Sequence, residues 1–455
     1  MISAPFVASL HGRVYNDWVR EREQSGGYVR LLKENRDYRR LFIGQFISQT
    51  GDWFNSVALF TLLLSLTGSG ESVGYILILK LLPAFFAGPL AGVAADRYSR
   101  KAIMIITDVL RGLLVLGFLL VRSPDQVWMV YLLTGVEAMI ATFFEPAKSA
   151  AIPGIVSRDE LVSANALASA SWSVTLAFGA ALGGIVTDAF GRDAAFILDA
   201  LTFFISAAFI ISARIPDRRE RREAAHLSFA DATGVTDIIE GARYLRANLR
   251  VMALLLVKSG WGMGGGVLLL LTIFGKEIFP IGRDGGTSIG LLYAARGFGA
   301  LIGPVIARRL TDGSQRAMRH TITVAFAASA LFYLLFAQSP FFLAALVCAI
   351  GAHAGGSIQW VFSTTLLQLS VPDRFLGRVF ALEMALLTLT MSLSTYATGW
   401  AIDHAGISAR AAAALLGLAF LIPGAAWLLI QPWLGKADQK ITGQAQPEMK
   451  AEPAD

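Results

Sequence analysis

Charge is scarce in this sequence. Only 16% of its 455 residues are Asp, Glu, Lys or Arg, against about 25% in a soluble globule, so the chain has too little charge for an ordinary water-facing surface. Cysteine is scarcer still: Cys348 stands alone, which excludes an intramolecular disulfide framework and a cysteine-built metal cluster. The five histidines show no H-E-x-x-H or comparable ligand spacing, and no Walker A sequence is present to bind ATP. Gly260, Gly262, Gly264, Gly265 and Gly266 formally contain G-x-G-x-x-G, but they follow no strand and lie in an apolar run, so a nucleotide fingerprint is rejected. No cofactor and no metal site is read.

What the sequence has instead is apolar. Hydrophobic residues make up 55% of it, with 29 Phe and 44 Gly. A hydrocarbon core ~30 Å thick needs ~20 helical residues to cross, and twelve segments are long enough: residues 41–64, 73–95, 102–121, 127–145, 161–188, 194–212, 251–274, 288–307, 320–337, 341–369, 376–402 and 411–431. Period-2 alternation in short segments is absent, which excludes a β-barrel. The fold class is therefore all-α integral membrane, with twelve transmembrane helices. Several spans are rich in Gly, Ala and Ser, which let helix backbones approach closely in lipid.

Basic residues give the sidedness. With both termini and the even-numbered loops assigned to the cytoplasm, 30 of the 39 Lys and Arg lie inside. The opposite loops hold five, Arg122, Arg192, Lys276, Arg283 and Arg410. This satisfies the positive-inside rule, so the net charge of +6 reports topology and contact with anionic membrane lipids, not nucleic acid. No signal peptide is read in residues 1–40. The expected organisation is a cytoplasmic tail (1–40), a six-helix bundle (41–212), a cytoplasmic linker with a surface helix from Thr236 to Arg250 (213–250), a second six-helix bundle (251–432) and a cytoplasmic tail (433–455).

The two halves repeat at an offset of 215 residues. Gly88-Pro89 falls on Gly303-Pro304, and Leu161, Ala166 and Leu167 fall on Leu376, Ala381 and Leu382. Gly184 to Gly191 and Gly399 to Gly406 both read G-x-x-x-D-x-x-G. Parallel repeats of six spans imply a pseudo-two-fold axis along the membrane normal, with a site at the midplane between them.

The loop after the second span, Gly92-Val93-Ala94-Ala95-Asp96-Arg97-Tyr98-Ser99-Arg100-Lys101, resembles the G-x-x-x-D-R-x-x-R-K signature of the major facilitator superfamily. The resemblance covers nearly all of residues 30–432 and is closest to the bacterial exporter branch with siderophore, macrolide and lysophospholipid exporters. It implies two pseudo-symmetric six-helix bundles, and Asp96 locking their inner ends against the start of span eleven, near Arg374 and Arg378. The antiporter motif of span five, G-P-x-x-G-G, corresponds to Gly179-Ala180-Ala181-Leu182-Gly183-Gly184, with alanine where the motif has proline.

A charge at the bilayer centre costs roughly 2.5–3.5 kcal/mol on insertion scales, so each midspan ionisable residue needs a partner or a task. By resemblance, spans one, four, seven and ten line the central cavity. Each carries one such residue: Asp52, Glu137, Lys258 and His353. Asp52 and Glu137 are expected to take up protons, with His353 as a relay. Asp108 and Arg111, three apart on one helical face, are expected to pair with each other. Lys80 and Arg296 fall within one position of each other under the 215 offset and, with Lys258, are candidates for contact with a small-molecule substrate. Trp53, Trp261 and Trp360 are expected to offer it an apolar, stacking surface.

Together these expectations describe a monomeric secondary transporter of the bacterial inner membrane, with both termini cytoplasmic. It exports a bulky or amphipathic organic compound against inward proton movement. An importer or lysophospholipid transporter of the same fold is the alternative. An enzyme is not read, because no nucleophile and base stand together.

Overall fold

A computed structural model describes residues 28–157, 160–216, 240, 243–312 and 314–444. Every described element is helical. The twelve principal helices, each with any kink it contains, are α1 (Arg36–Thr67), α2 (Gly70–Arg97), α3 (Arg100–Gly117), α4 (Val127–Ala141, continued by Phe144–Ile155), α5 (Leu161–Val174 and Ala180–Phe190), α6 (Arg192–Ser212), α7 (Leu249–Gly262 and Val267–Ile273), α8 (Gly286–Leu310), α9 (Gln315–Ala337), α10 (Phe342–Ser370), α11 (Asp373–Asp403) and α12 (Ala409–Ala419 and Leu421–Gln444).

Eleven of the twelve are long and apolar enough to cross a membrane. The exception is α1. At 32 residues it has the length, but Gln45, Gln49, Asp52 and Asn55 dilute its apolar character. Those polar residues belong to a helix whose neighbours are protein: Gln45, Ser48 and Asn55 are all buried.

Local sequence sets the helix ends. Asn35, Ser69, Ser99, Ser314 and Ser408 each accept a backbone N–H from the first turn of α1, α2, α3, α9 and α12 respectively, satisfying donors that a helix start leaves open. Gly68 closes α1 with φ 65°, a conformation glycine adopts without strain. Large apolar side chains such as Leu132, Leu343 and Leu429 remain exposed along the outer faces. In a membrane that belt meets lipid tails.

Within each half the helices pack as a bundle. In the first, α6 packs on α1 and α3; in the second, α10 packs on α8 and α9. The halves meet through α5 with α8 and α2 with α11, which are the same pairs under the internal repeat. Below, the end of the bundle where α1 begins is called the terminal end and the opposite one the distal end.

The tails and linker are described only in part. Residues 28–34 form a helix whose Leu31 is fully buried. Residues 1–27 and 217–239, including the first four residues of the expected surface helix, lie outside the described residues, as do 241–242, but 240 and 243–247 are helical. There Tyr244 stacks on Phe375 of α11 at 4.3 Å. The last helix runs past the expected end of span twelve to Gln444.

Candidate functional site: a buried ion-pair network and a distal clasp

Three helices of the first half bring together charges that apolar surroundings would otherwise exclude. Arg111 of α3 donates from Nη2 to Asp52 Oδ1 of α1 at 2.6 Å and from Nε to Glu137 Oε1 of α4 at 2.7 Å. One planar guanidinium thus clamps two carboxylates on different helices, the geometry for which arginine is suited. Its flat face rests 4.2 Å from the Phe203 ring of α6. Side-chain exposure differs along the network: 37% for Asp52, 12% for Arg111 and 6% for Glu137. Asp52 is the least buried member of the three.

The expected Asp108–Arg111 pair does not form. Residues three apart share a helix face, but arginine is long enough to reach across to α1 and α4. Asp108 instead turns into the protein, 1% exposed, beside Ser206 of α6. Neither Asp108 oxygen has a hydrogen-bond partner.

Asp199 of α6 joins the same cluster and is absent from the expected set. It is fully buried and lies against Gly51, where a side chain at that glycine would come within 2.5 Å of Asp199 Oδ1. The rule that singles out Asp52, a charge well inside an apolar run, applies equally to Asp199 in 194–212. Lys80 of α2 completes the group, donating to Ser56 Oγ of α1 at 2.8 Å.

The second half holds a tighter pair. Lys258 of α7 and Glu383 of α11 are 2.7 Å apart, with side chains 3% and 0% exposed, and the ammonium also sits 4.4 Å from the Trp360 ring centroid. Lys258 is therefore not a free cation in a cavity. His353 is buried, its Nδ1 3.1 Å from the Ala349 carbonyl and both ring nitrogens 3.4 Å from Tyr333 Oη. Arg296 lines a small pocket with Trp261, Tyr333 and His353.

The tryptophans divide between contacts. Trp261 and Trp360 meet edge to face at 6.0 Å. Trp53 instead bridges the halves: its ring is 5.8 Å from Tyr293 of α8, and Gly179 of α5 lets it seat, with only 3.1 Å available to a side chain there. The span-five glycines thus serve two faces. Gly179 and Gly183 admit α1, and Gly184 admits α8, where an added Cβ would lie 2.5 Å from the Gly286 carbonyl oxygen.

At the distal end the repeated aspartates clasp opposite halves. Asp403, closing α11, accepts from Ser69 Oγ at 2.7 Å and from the Glu71 backbone N–H at 2.8 Å, at the start of α2. Asp188, near the end of α5, accepts from Thr287 Oγ1 at 2.7 Å at the start of α8. Each carboxylate meets the positive end of a helix dipole. The matching glycines behave alike: a side chain at Gly399 would crowd Glu71, as one at Gly184 would crowd Gly286.

Toward the terminal end, Gly88, Gly92 and Gly377 have nothing within 4 Å of where a side chain would begin. The basic residues of the α2–α3 loop bind carbonyls within the first half. Arg100 donates to Ala150 at 2.8 Å, and Lys101 to Ile211 and Ala213 at 2.7 and 2.8 Å. Arg97 is exposed. The side chains of Asp96 and Arg374 lie outside the described residues; Arg378 pairs with Glu240 of the linker at 2.9 Å.

A family model described as Major Facilitator Superfamily matches residues 41–383. The chain belongs to that superfamily. It is a multi-pass membrane transporter, not an enzyme. Among relatives of the superfamily, the uncharacterized MFS-type transporter YfiS of Bacillus subtilis is 27% identical over 412 residues, covering 88% of this chain and 93% of that protein. Macrolide efflux protein A of Streptococcus pyogenes is 25% identical over 378 residues, covering 81% and 90%. A bacterial homologue of the human lysosomal transporter Spinster, solved in an inward-facing and unoccupied conformation, shares the superfamily fold with TM-score 0.67. Its identity is 15%, over 89% of this chain and 98% of that one.

Proposed function

We propose that this transporter exports a bulky or amphipathic organic compound from the bacterial cytoplasm in exchange for protons. The bundle works as a monomer in the inner membrane, both termini cytoplasmic, and rocks between states open at one end or the other. The carrying observation is the Asp52–Arg111–Glu137 network, whose one partly exposed carboxylate hangs from an arginine shared with a buried one. A proton or a cationic group arriving at Asp52 weakens its hold on Arg111, so occupancy of the cavity and the arrangement of α1, α3 and α4 are linked. The efflux named for the streptococcal relative supports the outward direction. Lys80, Arg296 and the aromatic rings of Trp53, Trp261 and Trp360 are the proposed substrate contacts. Asp96, Arg374 and Arg378 are the proposed inner gate, with the Asp188 and Asp403 contacts closing the outer one.

The test uses inverted vesicles with an acidic interior and a pH-sensitive dye, to which cationic drugs, siderophores and lysophospholipids are added in turn. A compound that releases protons from wild type but not from Asp52→Asn identifies antiport and begins to name the substrate. Asp52→Asn is expected to abolish uphill transport and retain counterflow exchange. Ala180, in place of the proline of the antiporter motif, favours the second reading, an importer or lysophospholipid transporter of the same fold. Binding without any proton release would establish it.

A further inference from the structure

Arg296 of α8 carries a charge that no neighbouring group answers. Arg111 holds two carboxylates, Lys258 holds Glu383 and Lys80 donates to Ser56. Arg296 is half-buried within an apolar span, yet among the described residues it has neither a hydrogen bond nor an ion pair. The titratable side chains that face it are Tyr293, Tyr333 and His353, and tyrosine and histidine bring no negative charge near neutrality. A lysine or a carboxylate so placed can shed its charge by moving a proton, but a guanidinium keeps its charge in any protein. An unpaired charge inside a span is costly, so the counter-charge has to come from outside the chain.

The lining of the pocket points to the same chemistry. Arg296, Trp261, Tyr333 and His353 share it with Gly264 and Gly265, at the break in α7, and no carboxylate among the described residues lines it. The Trp261 indole N–H lies against Gly356 of α10, where a side chain would displace it, and it too has no acceptor among the described residues. Tyr333 Oη is 3.4 Å from the His353 nitrogens, long for an O–H bond, so its hydroxyl is free to turn to a stronger acceptor. Donors thus gather around a fixed positive charge, the reverse of a cation site. The pocket holds about 20 Å³, a little more than the roughly 10–15 Å³ that one water requires, so the group it accepts is small.

We infer that Arg296 and its neighbours form a binding site for a small monovalent anion, supplied either as a halide ion or as the carboxylate head of the transported compound. Its walls come from α7, α8, α9 and α10, so an anion there ties the break in α7 to three other helices of the second half. The carboxylate source rests on Arg296 as a substrate contact in export; the halide source does not.

Equilibrium binding of radioactive chloride to the full chain in lipid nanodiscs, in sulfate buffer of constant ionic strength, reads the site directly. Saturable binding displaced by bromide is expected in the wild type. Arg296→Gln should lose it, Arg296→Lys should keep a weaker form, and Tyr333→Phe, which removes one donor to a charged ligand, should weaken it about tenfold. Chloride should raise the thermal midpoint of the wild type by mass action and leave that of Arg296→Gln unchanged. Without chloride, Arg296→Gln is relieved of an unpaired charge and should be at least as stable as the wild type, which separates loss of the site from loss of the fold. A less stable Arg296→Gln under those conditions would mean that the protein itself answers the charge, and would overturn the inference. Binding of formate or benzoate that needs Arg296, with none of chloride, supports the site and assigns it to the head of the cargo. No Arg296-dependent binding of chloride, bromide, formate or benzoate overturns it, as does chloride binding that Arg296→Gln retains. Chloride binding lost in Arg296→Gln, in a protein that moves no compound outward, leaves the anion site standing and the export reading fallen.

Discussion

Lys258 and Glu383 illustrate what one residue can determine in a bundle of this kind. Their 2.7 Å contact joins α7 to α11 with both side chains out of solvent, so each is tolerable only because of the other. Removing one partner of a buried pair typically costs about 3–5 kcal/mol, while replacing both with apolar residues of similar size is often neutral. Lys258→Met should accordingly lower the thermal midpoint of the purified protein far more than Lys258→Met with Glu383→Leu. Equal loss in the single and double variants would mean the pair does more than neutralise itself. Arg111 differs, because one of its two carboxylates is exposed enough to meet a ligand. The proposed function turns on Asp52's 37% exposure, and no spacing rule reports exposure.

At the scale of elements, the closed distal end depends on backbone approach. A β-carbon on Gly184 of α5 would lie 2.5 Å from the Gly286 carbonyl oxygen of α8, and one on Gly399 of α11 would lie 3.0 Å from Glu71 Cα of α2, and the aspartate of each G-x-x-x-D segment bonds to the start of the opposing helix. Gly184→Val should therefore separate α5 from α8 and favour a distal-open state, read as a longer distance between spin labels at the distal ends of those helices. Asp403→Asn removes a carboxylate at a helix start, an interaction worth about 0.3–1 kcal/mol, and should shift the same population about two- to fivefold. An unchanged distance distribution in both variants would remove the clasp from the gating account. These contacts were half legible in sequence. The repeat marks both motifs and places them alike, but it does not tell that each reaches into the other half, because a repeat shows equivalence and not partnership.

The whole molecule obeys its duplication. The two main contacts across the halves, α5 with α8 and α2 with α11, are one contact seen twice, so any rotation that loosens one loosens the other. Rigid-body rocking then requires label pairs at the distal end to separate as pairs at the terminal end approach, in a single two-state exchange when substrate is added. Distances that change at one end only would replace rocking with local helix bending at the kinks in α5 and α7.

The span pattern, the all-helical class and the family signature were readable without coordinates, because hydrocarbon solvent imposes the spans residue by residue: a span must be long, apolar and helical wherever it packs. What tertiary structure alone decided is which charge meets which. Arg111 passes over its helical neighbour Asp108 for carboxylates on two other helices, Lys258 is withdrawn into a pair, and Asp199 is buried behind the network. Those outcomes depend on helix rotation and on side-chain reach across gaps. A linear order of residues carries neither, since the partners lie tens of residues apart and the protein's interior dielectric rewards only the contacts that packing brings within hydrogen-bond distance.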